Sequence, residues 1–578
     1  MTVRFAPAAV VRSPRPGGGF VLRSPVAAPE PVRCIGDWLV DWAGQAPERT
    51  FLAERAGSDS RSDSRSDWRR VTYGAALTAV RALAQSLLDA GLGPTRPLAI
   101  LSGNSIDHAL LALAAMHVGV PVAPISAAYS LASQDHGKLR ALVAELAPGA
   151  VWAEGAAFAS ALGALAGVPR FEPRPTAPTA AIDRAFAAVA PDTVAKILFT
   201  SGSTGTPKGV VNTHRMLCAN QAAIAAGWPF LADRPPVIVD WLPWSHTFGA
   251  NHNFNMILAN GGTLYIDAGK PAPGAFDTTL ANLREVPSTL YFNVPRGFDM
   301  LVGALEADDA LRATFFRDLD LVFYAAAALS PATWDRLAAV AKRAGASPAM
   351  VSAWGSTETS PLVTQVHFPI DRAGVIGLPA PGVELAFAPS GDKLEMRVRG
   401  ASVTAGYWLA GGAIEPAPRD ELGFYPMGDA GRLADASAPE RGVVFDGRTA
   451  ENFKLASGTW VHVGELRIAL IAACSPLVAD AVIAGHDRDE IGALVFAAPG
   501  HTVDERFHRE LAAGLARCNQ ARSASSTRIA RALVLREPPS IDAGEITDKG
   551  YLNQRAILAR RADAVAALYA GGTGVIIL

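Results

Sequence analysis

One segment limits what this chain can become: Leu198-Phe199-Thr200-Ser201-Gly202-Ser203-Thr204-Gly205-Thr206-Pro207-Lys208-Gly209-Val210. An apolar stretch that must be buried leads into a loop of small residues, and a second apolar stretch leaves it. Glycines let such a loop turn its backbone N–H groups toward one point, Ser and Thr hydroxyls add donors, and Lys208 adds positive charge. The product is a concave site for a polyphosphate. A flexible Gly/Ser linker would not lie between two runs that need a core. A Walker-type loop also fails. Counted from Gly202, Pro207 stands where glycine is required, and Gly209 where a hydroxyl should hold magnesium.

The surroundings read as α/β. From Thr72 to Leu92 an apolar residue recurs every three or four positions (Ala76, Val80, Leu83, Leu87, Leu88), which predicts an amphipathic helix. A strand over 97–101, a helix over 106–117 and a strand over 118–122 make a βαβ unit and favour a parallel sheet. Further strands are expected over 195–200, 236–241, 263–267, 289–293 and 319–325, with a helix running from the phosphate loop through Ala226. From 385 to about 445, short alternating strands rich in Gly and Pro suggest a small barrel-like region. A second α/β segment follows Gly447, with strands over 479–485 and 492–498 and helices over 505–518 and about 551–569. The expected organisation is a poorly ordered Pro/Gly/Arg-rich N-terminus over 1–30, a large domain of α/β subdomains plus the barrel-like region over 31–447, and a small α+β domain over 448–578. The run SDSRSDSRSDWRR between Ala53 and Tyr73 reads as a solvated hairpin tip.

Composition excludes several classes. Lys and Arg number 52 against 54 Asp and Glu, so no basic excess points to nucleic acid or to an anionic membrane surface. The most apolar stretch, 109–122, is broken by His117, Gly119 and Pro121, and no membrane span is expected. Cys34, Cys218, Cys474 and Cys518 show neither CxxC spacing nor a His cluster nearby, which disfavours disulfides and structural zinc. The first twenty residues lack the apolar length of a secretory leader. A cytoplasmic protein, monomer or homodimer, is expected.

TSGSTGTPKGV resembles the signature loop of the acyl-adenylate-forming (AMP-binding) superfamily, which includes acyl-CoA synthetases, luciferases and nonribosomal-peptide adenylation domains. Further motifs follow in the family's order from about residue 36 to 560. The resemblance implies that Thr200, Ser201, Gly202, Ser203, Thr204, Gly205 and Lys208 hold the ATP phosphates. Within SAWGSTET it implies adenine stacking on Trp354, which replaces the usual Tyr, a phosphate contact from Thr357 and magnesium on Glu358. Ala327 lies in an adenine platform, Tyr324–Ser330, where the family usually carries glycines. Asp429 of FYPMGD and Arg448 of GRTAENFK would bind the ribose, the first because one carboxylate can accept from two vicinal hydroxyls. Glu451, where Asp is usual, would be the hinge of a mobile C-terminal domain. His246 of DWLPWSHTFG would line the acid pocket and gate it against the CoA channel, with Phe248, Asn251, His252 and Asn253 supplying an aromatic wall and polar contacts. In DAGEITDKGY, Lys549 best matches the family's C-terminal catalytic lysine, and no lysine follows it.

What the resemblance implies is an ATP-dependent acid–CoA ligase using ATP, Mg2+ and coenzyme A on a small carboxylic acid. SGSTGTPKGVVNTHRMLCANQ, DWLPWSHTFGANHNFNM, GGTLYIDAGKP and DAGEITDKGYLNQRA together look most like feruloyl-CoA synthases, implying a hydroxycinnamic or related aromatic acid. FKLASGTWV resembles medium- and long-chain fatty acyl-CoA ligases, the alternative within the enzyme class. Two other readings stand beside it: an enzyme that loads a carrier protein, and a degenerate nucleotide-binding relative without turnover.

Overall fold

The computed structural model describes residues 3–56, 68–200, 207–272, 274–327, 329–449, 451–520, 522, 524–547, 550 and 552–578. The βαβ unit forms as its pattern requires. Leu98–Leu101 and Val122–Ile125 pair in parallel, Leu98 opposite Val122, with the helix Ile106–His117 between them. Ser105 caps that helix by accepting the His108 N–H, and both strands are buried, as parallel strands covered on two faces must be. The second strand starts at Val122, not Val118. Val118 ends the helix and Gly119 turns the chain at φ +72°, a conformation a strand cannot contain.

This unit lies in a seven-stranded sheet ordered Ile414–Pro416, Gly406–Trp408, Lys208–Thr213, Val194–Thr200, Val122–Ile125, Leu98–Leu101, Ala150–Ala153. A four-stranded sheet is ordered Val237–Asp240, Thr263–Ile266, Thr50–Arg55, Trp68–Thr72. Its last two strands are antiparallel, as a hairpin demands, but the tip at 57–67 lies outside the described residues. The strand-rich stretch from 385 to 445 divides between two sheets. Val383–Ser390, Lys393–Gly400, Tyr425–Leu433 and Val443–Arg448 join an eleven-stranded sheet with register shifts, while Gly406–Trp408 and Ile414–Pro416 cross to the seven-stranded one.

The N-terminus departs from expectation. Val11–Pro14 and Phe20–Arg23 pair antiparallel, and the second adds to Val383–Ser390. Leu22 is fully buried, and Phe20 stacks on Phe387 with ring centroids 4.5 Å apart. Three apolar residues, Phe20 to Leu22, are too few for periodicity to reveal, and an edge supplied from elsewhere in the chain orders them.

The C-terminal region has its own four-stranded sheet, Val478–Ala484, Ile491–Ala497, Ile529–Leu535 and Val575–Ile577, and a core of its own around Val461, Leu470, Ile491, Leu511 and Ile529. The helix expected over 551–569 is two, Gln554–Arg560 and Ala562–Ala570. Arg561 leaves helical geometry at the break, where its guanidinium makes two 2.7 Å bonds to the buried carboxylate of Glu545. Among the described residues no helix is long and apolar enough to cross a membrane.

Candidate active site

Val194–Thr200 and Lys208–Thr213, the strands on either side of the phosphate segment, pair antiparallel with Thr200 opposite Lys208. The helix His214–Gly227 begins only after the second strand, where the Thr213 hydroxyl accepts the Met216 N–H. Ser201, Gly202, Ser203, Thr204, Gly205 and Thr206 lie outside the described residues. Of their anchors, the Lys208 ammonium sits 4.7 Å from the Tyr407 ring and 3.5 Å from the Glu415 carboxylate. These two charged side chains are 41% and 53% exposed, so their pairing holds Lys208 weakly.

The ribose candidates meet across strands. Asp429 on Tyr425–Leu433 stands opposite Arg448 on Val443–Arg448. Trp354, near the end of Ala349–Gly355, donates its indole N–H to Asp429 Oδ2 at 2.9 Å. Arg448 Nε lies 3.5 Å from Asp429 Oδ1, an ion pair without hydrogen-bond geometry, and that buried oxygen accepts no hydrogen bond. Burial raises the Asp429 pKa, opposed by Arg448 and by the indole. One carboxylate oxygen is thus oriented and the other is unspent, which suits a vicinal diol. The family resemblance implied only a stacking ring at Trp354; its bond to Asp429 joins segments 75 residues apart and has no local signal.

Around this pair the backbone is specialised. Ala326 adopts φ +73°, where an L-residue costs roughly 1–2 kcal/mol, and Ala327 beside it is exposed. Thr357 is buried at the start of the short 3-10 turn Thr357–Thr359, and Glu358 is half-buried with its carboxylate accepting from the Ser356 hydroxyl at 2.7 Å. No group of three or more His, Cys, Asp or Glu among the described residues would cage a metal. A single carboxylate completed by water and substrate phosphates is nevertheless the donor set that magnesium takes, so Glu358 fits it. Glu451 is exposed on the turn beyond Arg448. Just before it, the Thr449 N–H and hydroxyl both bond to the Gly428 carbonyl, at 2.9 and 3.0 Å, and pin the chain beside Asp429.

The acid-side candidates lie on a π-helix, Phe248–Phe254, a wide turn that recurs at functional sites. His246 is buried just before it. The half-buried Phe248 ring stands 5.5 Å from Phe323 and 5.8 Å from His252, and His252 stands 4.9 Å from Phe323 and 5.5 Å from Phe292. Burial lowers the His252 pKa to about 4, so the ring is neutral; Nδ1 is bonded to the Asn253 amide oxygen and Nε2 has no hydrogen-bond partner. Asn253 corrects the sequence reading. It is fully buried, its amide N–H donates to Asp240 and its oxygen meets His252, so both ends are spent inside the wall. Asn251 is likewise consumed by Asn212, Thr247 and Lys196. The sequence reading missed Lys196, a buried lysine whose pKa falls to about 7 through loss of water. A lysine in an otherwise apolar strand was its only signal.

Lys549 lies outside the described residues. On either side of it, Ile546 and Leu552 make an antiparallel bridge, and the Gly550 N–H bonds to the Thr547 carbonyl at 2.9 Å.

These features define a two-domain enzyme of the adenylate-forming fold, a large N-terminal domain followed by a small C-terminal one. Comparison with known proteins agrees. Residues 39–408 match the AMP-binding enzyme family and residues 457–573 the AMP-binding enzyme C-terminal domain. A 3-[(3aS,4S,7aS)-7a-methyl-1,5-dioxo-octahydro-1H-inden-4-yl]propanoyl:CoA ligase of Rhodococcus jostii is 30% identical over 334 residues, covering 56% of this chain and 59% of that protein. The probable non-canonical nonribosomal peptide synthetase CymA of Salinispora arenicola is 28% identical over 495 residues, 81% of this chain but only 6% of that much longer protein. Among solved structures, the anthranilate CoA ligase AuaEII in complex with anthranoyl-AMP superposes with a TM-score of 0.69 at 17% identity, covering 93% of this chain and 99% of that one. The chain belongs to the AMP-binding enzyme family.

Proposed function

We propose that this protein is an AMP-forming acid–CoA ligase acting on an aromatic acid of the hydroxycinnamic class, similar to feruloyl-CoA synthases. The observation that carries the substrate class is the ring wall of Phe248, His252, Phe292 and Phe323, with His252 Nε2, which has no hydrogen-bond partner among the described residues, set beside the rings. A flat ring bearing oxygen substituents matches rings plus one hydrogen-bonding nitrogen better than a flexible alkyl chain does.

The reaction has two halves. A carboxylate oxygen of the acid attacks the α-phosphorus of ATP; the new O–P bond forms as the bond to the β-phosphate oxygen breaks, and pyrophosphate leaves. The thiol of coenzyme A then attacks the acyl carbon, AMP leaves, and the thiol proton passes to solvent or base. The Thr200–Lys208 segment would grip the phosphates, Asp429 and Arg448 the ribose, and Trp354 and Ala327 the adenine, which is catalysis mainly by position and charge. Glu358 would hold Mg2+, which neutralises the phosphate oxygens when bound. Lys549 would stabilise the first transition state, and rotation near Glu451 would withdraw it before the second. His246 would separate the acid from the thiol channel.

A panel of acids assayed for CoA thioester by mass tests this reading. Ferulate and its relatives should be converted well ahead of octanoate and palmitate; fatty acyl-CoA alone would overturn the substrate class. The likeness to CymA over most of the chain favours a second reading, transfer to a carrier protein, which predicts adenylate but no thioester with free CoA.

A further inference from the structure

The C-terminal loop ahead of Lys549 is tied to the large domain at one place. Asp542 accepts from the buried Ser133 hydroxyl at 2.7 Å and from the Gln134 backbone N–H at 3.2 Å, while the Lys138 ammonium donates to the Ile541 carbonyl. The Ile541 side chain packs on the core that contains Tyr129, Leu139 and Leu142. These bonds hold the Asp542 pKa below the usual carboxylate range.

Both ends of this tie are held by further hydrogen bonds. On the C-terminal side, Glu545 is fully buried, takes two 2.7 Å bonds from Arg561 and accepts the Ser540 N–H at 2.9 Å. Ile546, bridged to Leu552, is the next residue. On the large-domain side, Lys138 lies in the first turn of the helix Gly137–Leu146. The far end of that helix reaches the strand that follows the phosphate segment: the Leu146 carbonyl accepts the Trp408 indole N–H at 3.0 Å, Tyr407 pairs with Val210, and the Glu145 carboxylate faces the Gly209 N–H.

We propose that Ser133, Lys138 and Asp542 form a latch that seats the C-terminal loop against the large domain for the adenylate-forming half-reaction and must release before the thioester-forming one. They are positioning residues, acting through the loop that leads to Lys549. The inference rests on the reading that Lys549 serves the first half-reaction. A bond from a hydroxyl and one from a backbone N–H to a half-buried carboxylate, with one ammonium on a carbonyl, is strong enough to select a conformation and weak enough to open in each cycle.

The test measures each half-reaction in full-length Ser133→Ala, Asp542→Ala and Lys138→Met. Acid-dependent ATP–pyrophosphate exchange should fall about tenfold or more, as loss of hydrogen bonds to a charged group warrants. Thioester formation from synthetic acyl-adenylate and CoA should be unchanged or faster, and Ser133→Thr, which keeps the hydroxyl, should restore exchange. Equal losses in both halves with a lowered melting temperature would mean ordinary packing and overturn the latch, as would undiminished exchange. Lys549→Ala separates the two ideas. If it abolishes exchange while the latch variants retain it, the latch fails and the role of Lys549 stands; if Lys549→Ala retains exchange, that role fails and the latch with it.

Discussion

The indole N–H of Trp354 is bonded to the carboxylate of Asp429, 2.9 Å away and 75 residues along the chain. A tyrosine ring would also stack on a base, but tryptophan adds a donor that orients the carboxylate expected to take the ribose. Arg448 approaches the other oxygen without closing a hydrogen bond on it. The site thus holds one acceptor in readiness.

Trp354→Phe keeps a ring and deletes the donor. A hydrogen bond to a charged group is worth roughly 1.5–3 kcal/mol, so KM for ATP should rise about tenfold or more with a smaller change in kcat. The pH dependence follows from the raised Asp429 pKa. Only the ionised carboxylate accepts from both hydroxyls, so nucleotide affinity is full above the folded pKa and is lost as pH falls through it. That loss should begin above the ordinary carboxylate range, and at still higher pH in Trp354→Phe, because the indole favours the charged form. Steady-state kinetics across pH would show it; an unshifted acid limb in the variant would count against the bond.

The proposed grip of Lys208 on a triphosphate competes with its pairing to Glu415. The pair is exposed and worth at most about 1 kcal/mol, so Glu415→Gln should change KM for ATP less than roughly fivefold. Lys208→Ala removes the charge itself and should weaken turnover far more. Pyrophosphate release compares the two, and equal effects would show that the pair rather than the cation matters.

Glu358→Gln should raise the magnesium concentration for half-maximal rate by at least about tenfold, the effect seen when metal-site partners are removed, with KM for the acid unchanged. A magnesium titration at saturating ATP decides it, and an unmoved midpoint would take Glu358 out of the metal site.

Lys196 makes folding pH-dependent. Burial lowers its pKa from the ordinary lysine value of 10.5 to about 7. As pH falls from above 10 toward 7 the unfolded chain gains a proton that the folded one refuses, so stability is lost over that window and levels off below it. Each unit is about 1.4 kcal/mol, so the whole effect is of the order of a few kcal/mol. Lys196→Met should lack this slope: its stability relative to the parent should improve on going from pH 10 to pH 7. Unfolding midpoints at the two pH values give the comparison, and a constant difference would mean that Lys196 is charged in the fold.

The amino-acid sequence by itself determined the parts whose signals are local. Apolar runs on either side of a glycine-rich loop require buried strands, and the antiparallel pair of Val194–Thr200 with Lys208–Thr213 delivers them. The βαβ unit at 98–125 follows from two short apolar runs with a helix-length apolar stretch between them. Only the tertiary structure decided the rest. It joined Trp354 to Asp429, spent both ends of Asn253 inside a wall, gave Phe20–Arg23 a sheet edge to complete, and brought Asp542 to Ser133 across 409 residues. Periodicity and turn chemistry act over a few residues, whereas the register of a sheet and the partner of a buried polar group depend on which distant segments meet.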